Sequence, residues 1–159
     1  MILYHGSDVV VAAPKLLKNQ RTLDFGKGFY TTSDLDQATK WAKRTAARTR
    51  RDESFVSVYR ADDEELNKLR VLRFEVPDVD WLRFVVANRT GRPLGSDWDV
   101  VAGPVANDQT ATTIELFLNG SYDEEEALRR LLPQKLKDQY AFKTEEALAL
   151  LHFEENIPL

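Results

Sequence analysis

The chain has 159 residues, no cysteine, and 22 basic against 26 acidic side chains, giving a net charge of −4 at pH 7. This length predicts a single domain, residues 1–159, with a core large enough to need no disulfide or metal staple. The absence of cysteine excludes a disulfide framework, a thiolate metal site and a cysteine nucleophile. Net acidity argues against a general binder of nucleic acid or anionic membrane, and leaves a local basic face open. No apolar run is long enough to span a bilayer, and the first residues lack the charged and apolar regions of a secretory signal. The expectation is a cytoplasmic protein with no membrane partner.

Residues 1–4 read as a strand running into a turn at His5-Gly6-Ser7. Residues 8–27 read as a loop, and 28–31 as a short strand. Ser33 with Asp36 three residues on predicts a helix over 34–50, with Ala38, Trp41, Ala42, Thr45, Ala46 and Thr49 at helical spacing. A strand is predicted over 54–60 and a short helix opening at Asp62 with Glu65. Residues 71–76 read as a strand, 79–89 as a helix, and 98–101 as a strand ending at Gly103-Pro104. Asn107 caps a helix that runs to Asn119, with Gly120 as its stop. Asp123 and Glu126 open another helix, closed by Pro133. Residues 139–143 alternate as a strand, and Thr144 caps the last helix. Short strands in irregular alternation favour α+β over a doubly wound parallel sheet.

Several clusters carry chemistry, each beside a plainer reading. Lys40, Lys43, Arg44, Arg48, Arg50 and Arg51 form a basic run with no acid inside it. It is either a phosphate-binding face or the solvated face of an amphipathic helix. The acidic run 123–126 suits a first helical turn. Gly26-Lys27-Gly28 lacks the third glycine and strand-first context of a dinucleotide fingerprint, and the ending of a P-loop. The two histidines, His5 and His152, have no short ligand spacing, so no metal is expected.

Taken in order, a strand ending in His5-Gly6, a glycine loop delivering Tyr30, and a downstream strand opening on polar Gln139 resemble the ADP-ribosyltransferase-like superfamily of the diphtheria-toxin and poly-ADP-ribose-polymerase type. Leu3-Tyr4-His5-Gly6-Ser7, the segments 24–32 and 103–108, Gln37-Ala38 with Trp41-Ala42, and 139–148 look like one small bacterial family within it, a domain of unknown function. The resemblance runs from about Leu3 to Phe153.

The resemblance implies an α+β fold of split antiparallel β-sheets flanked by helices, with NAD+ bound between the sheets as substrate. It implies that His5 bonds the adenosine ribose, that the Gly6 backbone pairs with the nicotinamide carboxamide, and that the Tyr30 ring stacks on nicotinamide. Imidazole suits a hydroxyl partner, glycine admits a flat ring to the backbone, and tyrosine offers a rigid aromatic face. The plainer alternatives are a satisfied half-buried histidine and a core aromatic. Arg21 either contacts the pyrophosphate or is a solvated loop residue. The superfamily often has glutamate where this chain has Gln139, which holds a hydroxyl but supplies no charge to an oxocarbenium-like transition state. Asp24, Asp99 and Asp108 are candidate substitutes, Asp108 equally as a helix-dipole residue.

The expected activity is transfer of ADP-ribose from NAD+ to a macromolecule, protein or nucleic acid, with His5, Tyr30 and Gln139 as the catalytic set. The resemblance further implies a bacterial toxin with a cognate antitoxin protein as partner. An NAD+ glycohydrolase and a catalytically silent NAD-binding or protein-interaction module are the alternatives.

Overall fold

The computed structural model describes residues 1–18, 20, 23–94 and 97–159. Its elements run β1 (Ile2–Ser7), β2 (Phe29–Thr31), α1 (Leu35–Thr49), β3 (Phe55–Arg60), α2 (Asp63–Asn67), β4 (Val71–Arg73), α3 (Val79–Arg89), β5 (Val100–Pro104), α4 (Asp108–Leu118), α5 (Glu124–Leu131), β6 (Asp138–Phe142), α6 (Glu145–Leu148) and β7 (His152–Pro158). The fold is α+β, as expected, with two sheets ordered β1-β3-β7 and β2-β6-β5-β4. No helix among the described residues is long and apolar enough to cross a membrane.

All strand pairs are antiparallel except β4 and β5, which corrects the expectation of purely antiparallel sheets. The reason is the connection between them. A parallel pair needs a long crossover, and α3 supplies it. Asp78 caps α3 by accepting from the Trp81 N–H at 3.0 Å, and Trp81, Leu82 and Val85 are fully buried beneath it. One core cluster gathers Phe25, Tyr30, Trp81, Val85, Val101 and Ile114 on one side of the four-stranded sheet. A second gathers Leu3, Phe29, Tyr59, Val100, Phe142 and Leu148.

Helix α1 starts one residue later than expected. Its cap is Asp34, whose carboxylate accepts from the Gln37 N–H at 2.8 Å. Ser33 is unavailable for capping, because its N–H and hydroxyl both donate to the Asp138 carboxylate. The last predicted helix is a single turn, α6, and the chain then forms β7 along the outer edge of β3. This edge strand reads as polar because most of its residues are exposed. Phe153 meets Tyr59 edge to face, with ring centroids 6.1 Å apart.

Ala38, Ala42 and Ala46 form the buried stripe of α1, and this small-residue stripe lets the helix lie directly on β1 at Gly6. A β-carbon at Gly6 would stand 2.0 Å from the Ala38 carbonyl oxygen and 2.6 Å from the Ala42 nitrogen. Both are backbone atoms that cannot move without displacing the helix. Gly6→Ala is therefore expected to destabilise the fold by at least about 2 kcal/mol, as overpacking against rigid neighbours does. Urea denaturation measures this, and an unchanged midpoint would show that α1 does not bear on β1 in this way.

Candidate functional site

The two sheets meet at one bridge. The Tyr4 N–H donates to the Thr32 carbonyl at 2.8 Å, and the Thr32 N–H returns to the Tyr4 carbonyl at 2.9 Å. Tyr4 therefore turns its backbone groups away from its β3 partner, Val58. Hydrogen-bonded and non-bonded pairs alternate along an antiparallel ladder. Gly6, two residues on, must likewise point its N–H and C=O away from Val56 and into the seam. Among the described residues neither group has a partner there.

The facing edge of β2 is occupied differently. The His5 Nδ1–H donates to the Tyr30 carbonyl at 2.7 Å. Further along, the Gln20 side-chain amide pairs with both backbone groups of Gly28. Its Nε2 donates to the Gly28 carbonyl at 2.5 Å, and its Oε1 accepts from the Gly28 N–H at 3.2 Å. A primary amide thus already pairs with both backbone groups of a glycine just before β2. Sequence reasoning missed Gln20, since a glutamine within a loop carries no signal of a long-range partner.

His5 is half-buried and its ring stacks on Phe29, with centroids 4.2 Å apart. Burial holds its pKa below the ordinary imidazole value, partly opposed by the bond to Tyr30. The neutral ring carries its proton on Nδ1, which leaves Nε2 as an acceptor.

Tyr30 is only 8% exposed and its ring belongs to the core. Its hydroxyl donates to the Gly26 carbonyl at 2.5 Å and accepts from the Phe25 N–H at 3.0 Å. Burial pushes its pKa strongly upward, so the phenol stays protonated. Stacking on a ligand would require the ring to be uncovered. The turn it grips is held twice more. Lys143 Nζ donates to the Phe25 carbonyl at 2.5 Å, and the Asn88 amide donates to the Asp24 carbonyl at 3.1 Å.

Gln139 stands opposite Gly103 on β6, one residue pair beyond Tyr140 and Thr31. It is 4% exposed, and its Nε2 is the one fully buried side-chain polar atom among the described residues that lacks a hydrogen-bond partner. Leaving such a group unpaired costs about 1–3 kcal/mol, and native structures rarely tolerate it without cause. Alternation along β6 puts Gln139 on the same face as Ala141, which pairs with Tyr30.

None of the three candidate acids is free beside Gln139. Asp24 is bound by Arg89 at 2.7 Å. Asp99 accepts from the Arg70 N–H and the Thr144 hydroxyl, and its strand position is opposite Lys143, about 13 Å along the ladder from Gln139. Asp108 begins α4 with its side chain 95% exposed, as a helix-dipole residue would. The neighbouring carboxylate is Asp138, which ties β6 to Thr32 and Ser33. Arg21 lies outside the described residues. No group of three or more His, Asp or Glu able to hold a metal occurs among the described residues.

Two outcomes test this site without any ligand. Gln139→Leu removes an unpaired buried amide, so the variant should be as stable as the wild type or up to about 2 kcal/mol more stable. A large loss in chemical denaturation would show that Gln139 is a satisfied core residue. The second outcome concerns pH. The unfolded chain protonates its histidine near 6.5, whereas native His5 resists protonation until lower pH. Its contribution to stability is thus complete above about pH 6.5 and is lost as pH falls toward the native pKa. The decline in denaturation midpoint from about pH 7.5 to about pH 5.5 should be shallower in His5→Asn. An identical slope would place the imidazole in solvent.

No curated protein and no solved structure matches the chain. Residues 1–153 match one protein family, described as Protein of unknown function (DUF3990), and the chain belongs to that family.

Proposed function

We propose that the chain is a mono-ADP-ribosyltransferase that binds NAD+ in the seam between its two sheets. The observation that carries this reading is the buried, unpartnered amide of Gln139. Among the described residues nothing accepts from this donor pair, which stands at the sequence position where the resembling superfamily grips the nicotinamide ribose. The N–H and C=O of Gly6, which have no partner among the described residues, support the same reading. They offer a carboxamide the two-point pairing that Gln20 makes with Gly28. His5 adds a neutral acceptor nitrogen suited to a ribose hydroxyl.

In the reaction, the bond between ribose C1 and the nicotinamide nitrogen breaks. Its electron pair leaves with nicotinamide, which departs neutral. A lone pair of the acceptor then forms the new bond to C1, and the acceptor loses its proton. Gln139 orients a ribose hydroxyl through this step. An amide carries no charge, so it neither stabilises the cationic sugar by full Coulomb attraction nor removes the acceptor's proton. The reading therefore assigns an acceptor that is already a competent nucleophile. The setting of a bacterial toxin restrained by an antitoxin rests on the resemblance alone.

Millimolar NAD+ should raise the melting temperature, since a ligand at a hundredfold excess over its Kd stabilises by about 2.7 kcal/mol. Gln139→Ala should keep NAD+ affinity within a few fold and lower single-turnover rate at least about tenfold, because the loss falls on the transition state. Incubation of wild type with labelled NAD+ and a cell lysate places the chemistry. Label on macromolecule supports transfer, and free ADP-ribose alone assigns hydrolysis by water. A melting curve unmoved by NAD+, with no product, would sink the proposal.

A further inference from the structure

The exposed face of α1 concentrates positive charge in an otherwise acidic chain. Six of the 22 basic residues fall between Lys40 and Arg51, with no acid between residues 37 and 51. Lys40, Lys43, Arg44 and Arg48 are all exposed, opposite the buried alanine stripe. Lys40, Arg44 and Arg48 succeed one another by one helical turn, about 6 Å per step over about 12 Å. Among the described residues Lys40, Lys43 and Arg48 have no ion-pair partner, and Arg44 has only Asp108 at 3.8 Å. Favourable placement near the helix C-terminus accounts for Arg48 but not for Lys40, which sits in the helix's first half.

The position of this stripe relative to Gln139 gives it meaning. Arg44 reaches Asp108, the first residue of α4, just after β5. At that end of β5, Gly103 stands opposite Gln139 and Pro104 opposite Asp138. The N-terminal end of α1 is tied to the same place, through Lys137 to Asp34 at 2.9 Å and through Ser33 to Asp138. The stripe thus runs along α1 and ends at the strand end that carries the unpartnered amide.

We propose that this face of α1 binds the phosphate backbone of a nucleic acid and leads it to Gln139, so that the acceptor of the reaction is nucleic acid. Charge complementarity favours this occupant. Between the cations the outward face exposes only Ala47, and half-buried Trp41 borders it on the side of Arg48. A lone aromatic flanking a row of cations suits base stacking beside phosphate contacts, whereas a protein partner is normally held by a cluster of buried anchors. Cations at one-turn spacing suit a polyphosphate, whose backbone is recognised by charge and register. The role as acceptor rests on the transferase reading, while the binding itself does not.

The experiment measures binding of fluorescently labelled single-stranded RNA and DNA, each of about 20 nucleotides, by the full chain without NAD+. Binding is expected to weaken with salt, with a log–log slope of about −2 to −3 for three to four neutralised phosphates. The variant K40E/K43E/R44E/R48E should bind at least about tenfold more weakly, yet show the wild-type melting shift with NAD+. Should it fold poorly, K40Q/K43Q/R48Q gives the same comparison without charge reversal. Binding that is absent at low salt, or unchanged in the variants, overturns the proposal. So does equal affinity for polyglutamate of matched length, which would assign the face to an acidic protein. Salt-dependent oligonucleotide binding beside an absent NAD+ melting shift would retain this face and remove the transferase reading.

Discussion

Two backbone hydrogen bonds between Tyr4 and Thr32 join a three-stranded sheet to a four-stranded one. Everything at the candidate site follows from how the two strands part beyond that bridge. Had β1 and β2 continued side by side, Gly6 would have paired with Tyr30, and the molecule would hold one continuous sheet. Instead the His5 imidazole takes the Tyr30 carbonyl, and among the described residues nothing takes up the outward backbone groups of Gly6. The parting is enforced from behind. α1 presses on β1 at Gly6 so closely that only a hydrogen fits between them. β2, in turn, is committed to β6 through Phe29–Phe142, Tyr30–Ala141 and Thr31–Tyr140.

The turn before β2 is fixed with unusual completeness. The carbonyls of Asp24, Phe25 and Gly26 are each taken by a different side chain, from Asn88, Lys143 and Tyr30. Lys143 does this with its pKa lowered by burial, so part of the stability of its charge is given up to hold one carbonyl. Gly26 occupies a left-handed backbone conformation at φ 84°, which a side chain would strain. A loop clamped at three successive carbonyls does not rearrange cheaply. The clamp fixes the turn from which β2 departs, and with it the position of Tyr30.

The sequence was most readable where local chemistry decides structure. Asn107 and Asp123 do cap α4 and α5, accepting from Thr110 and Glu126 N–H groups, and α3 runs from Val79 to Arg89 as the spacing predicts. It was least readable where a partner distant in sequence decides. Asp138 claims Ser33 across 105 positions and shifts the cap of α1 to Asp34. The parallel pairing of β4 with β5 and the pairing of β7 with β3 have no local signature. The same division runs through the site. The order of His5, Gly6, Tyr30 and Gln139 is legible in the sequence. That Tyr30 turns its ring inward, that Gln20 pairs with Gly28, and that Gln139 has no partner are facts of tertiary contact alone.

Among the described residues, one polar group without a partner stands at the seam and another beside it. Among the described residues nothing accepts from the buried Gln139 amide, and nothing pairs with the outward backbone groups of Gly6. Elsewhere the chain meets its polar needs closely, down to the Ser57 hydroxyl accepting from Val11 and the Tyr59 hydroxyl donating to the same residue's carbonyl. A random packing defect would have no reason to recur at the parting of the two sheets. Gly6 and Gln139 flank the same short strand, β2: Gly6 faces Tyr30 by the register of the Tyr4–Thr32 bridge, and Gln139 precedes Tyr140, which pairs with Thr31.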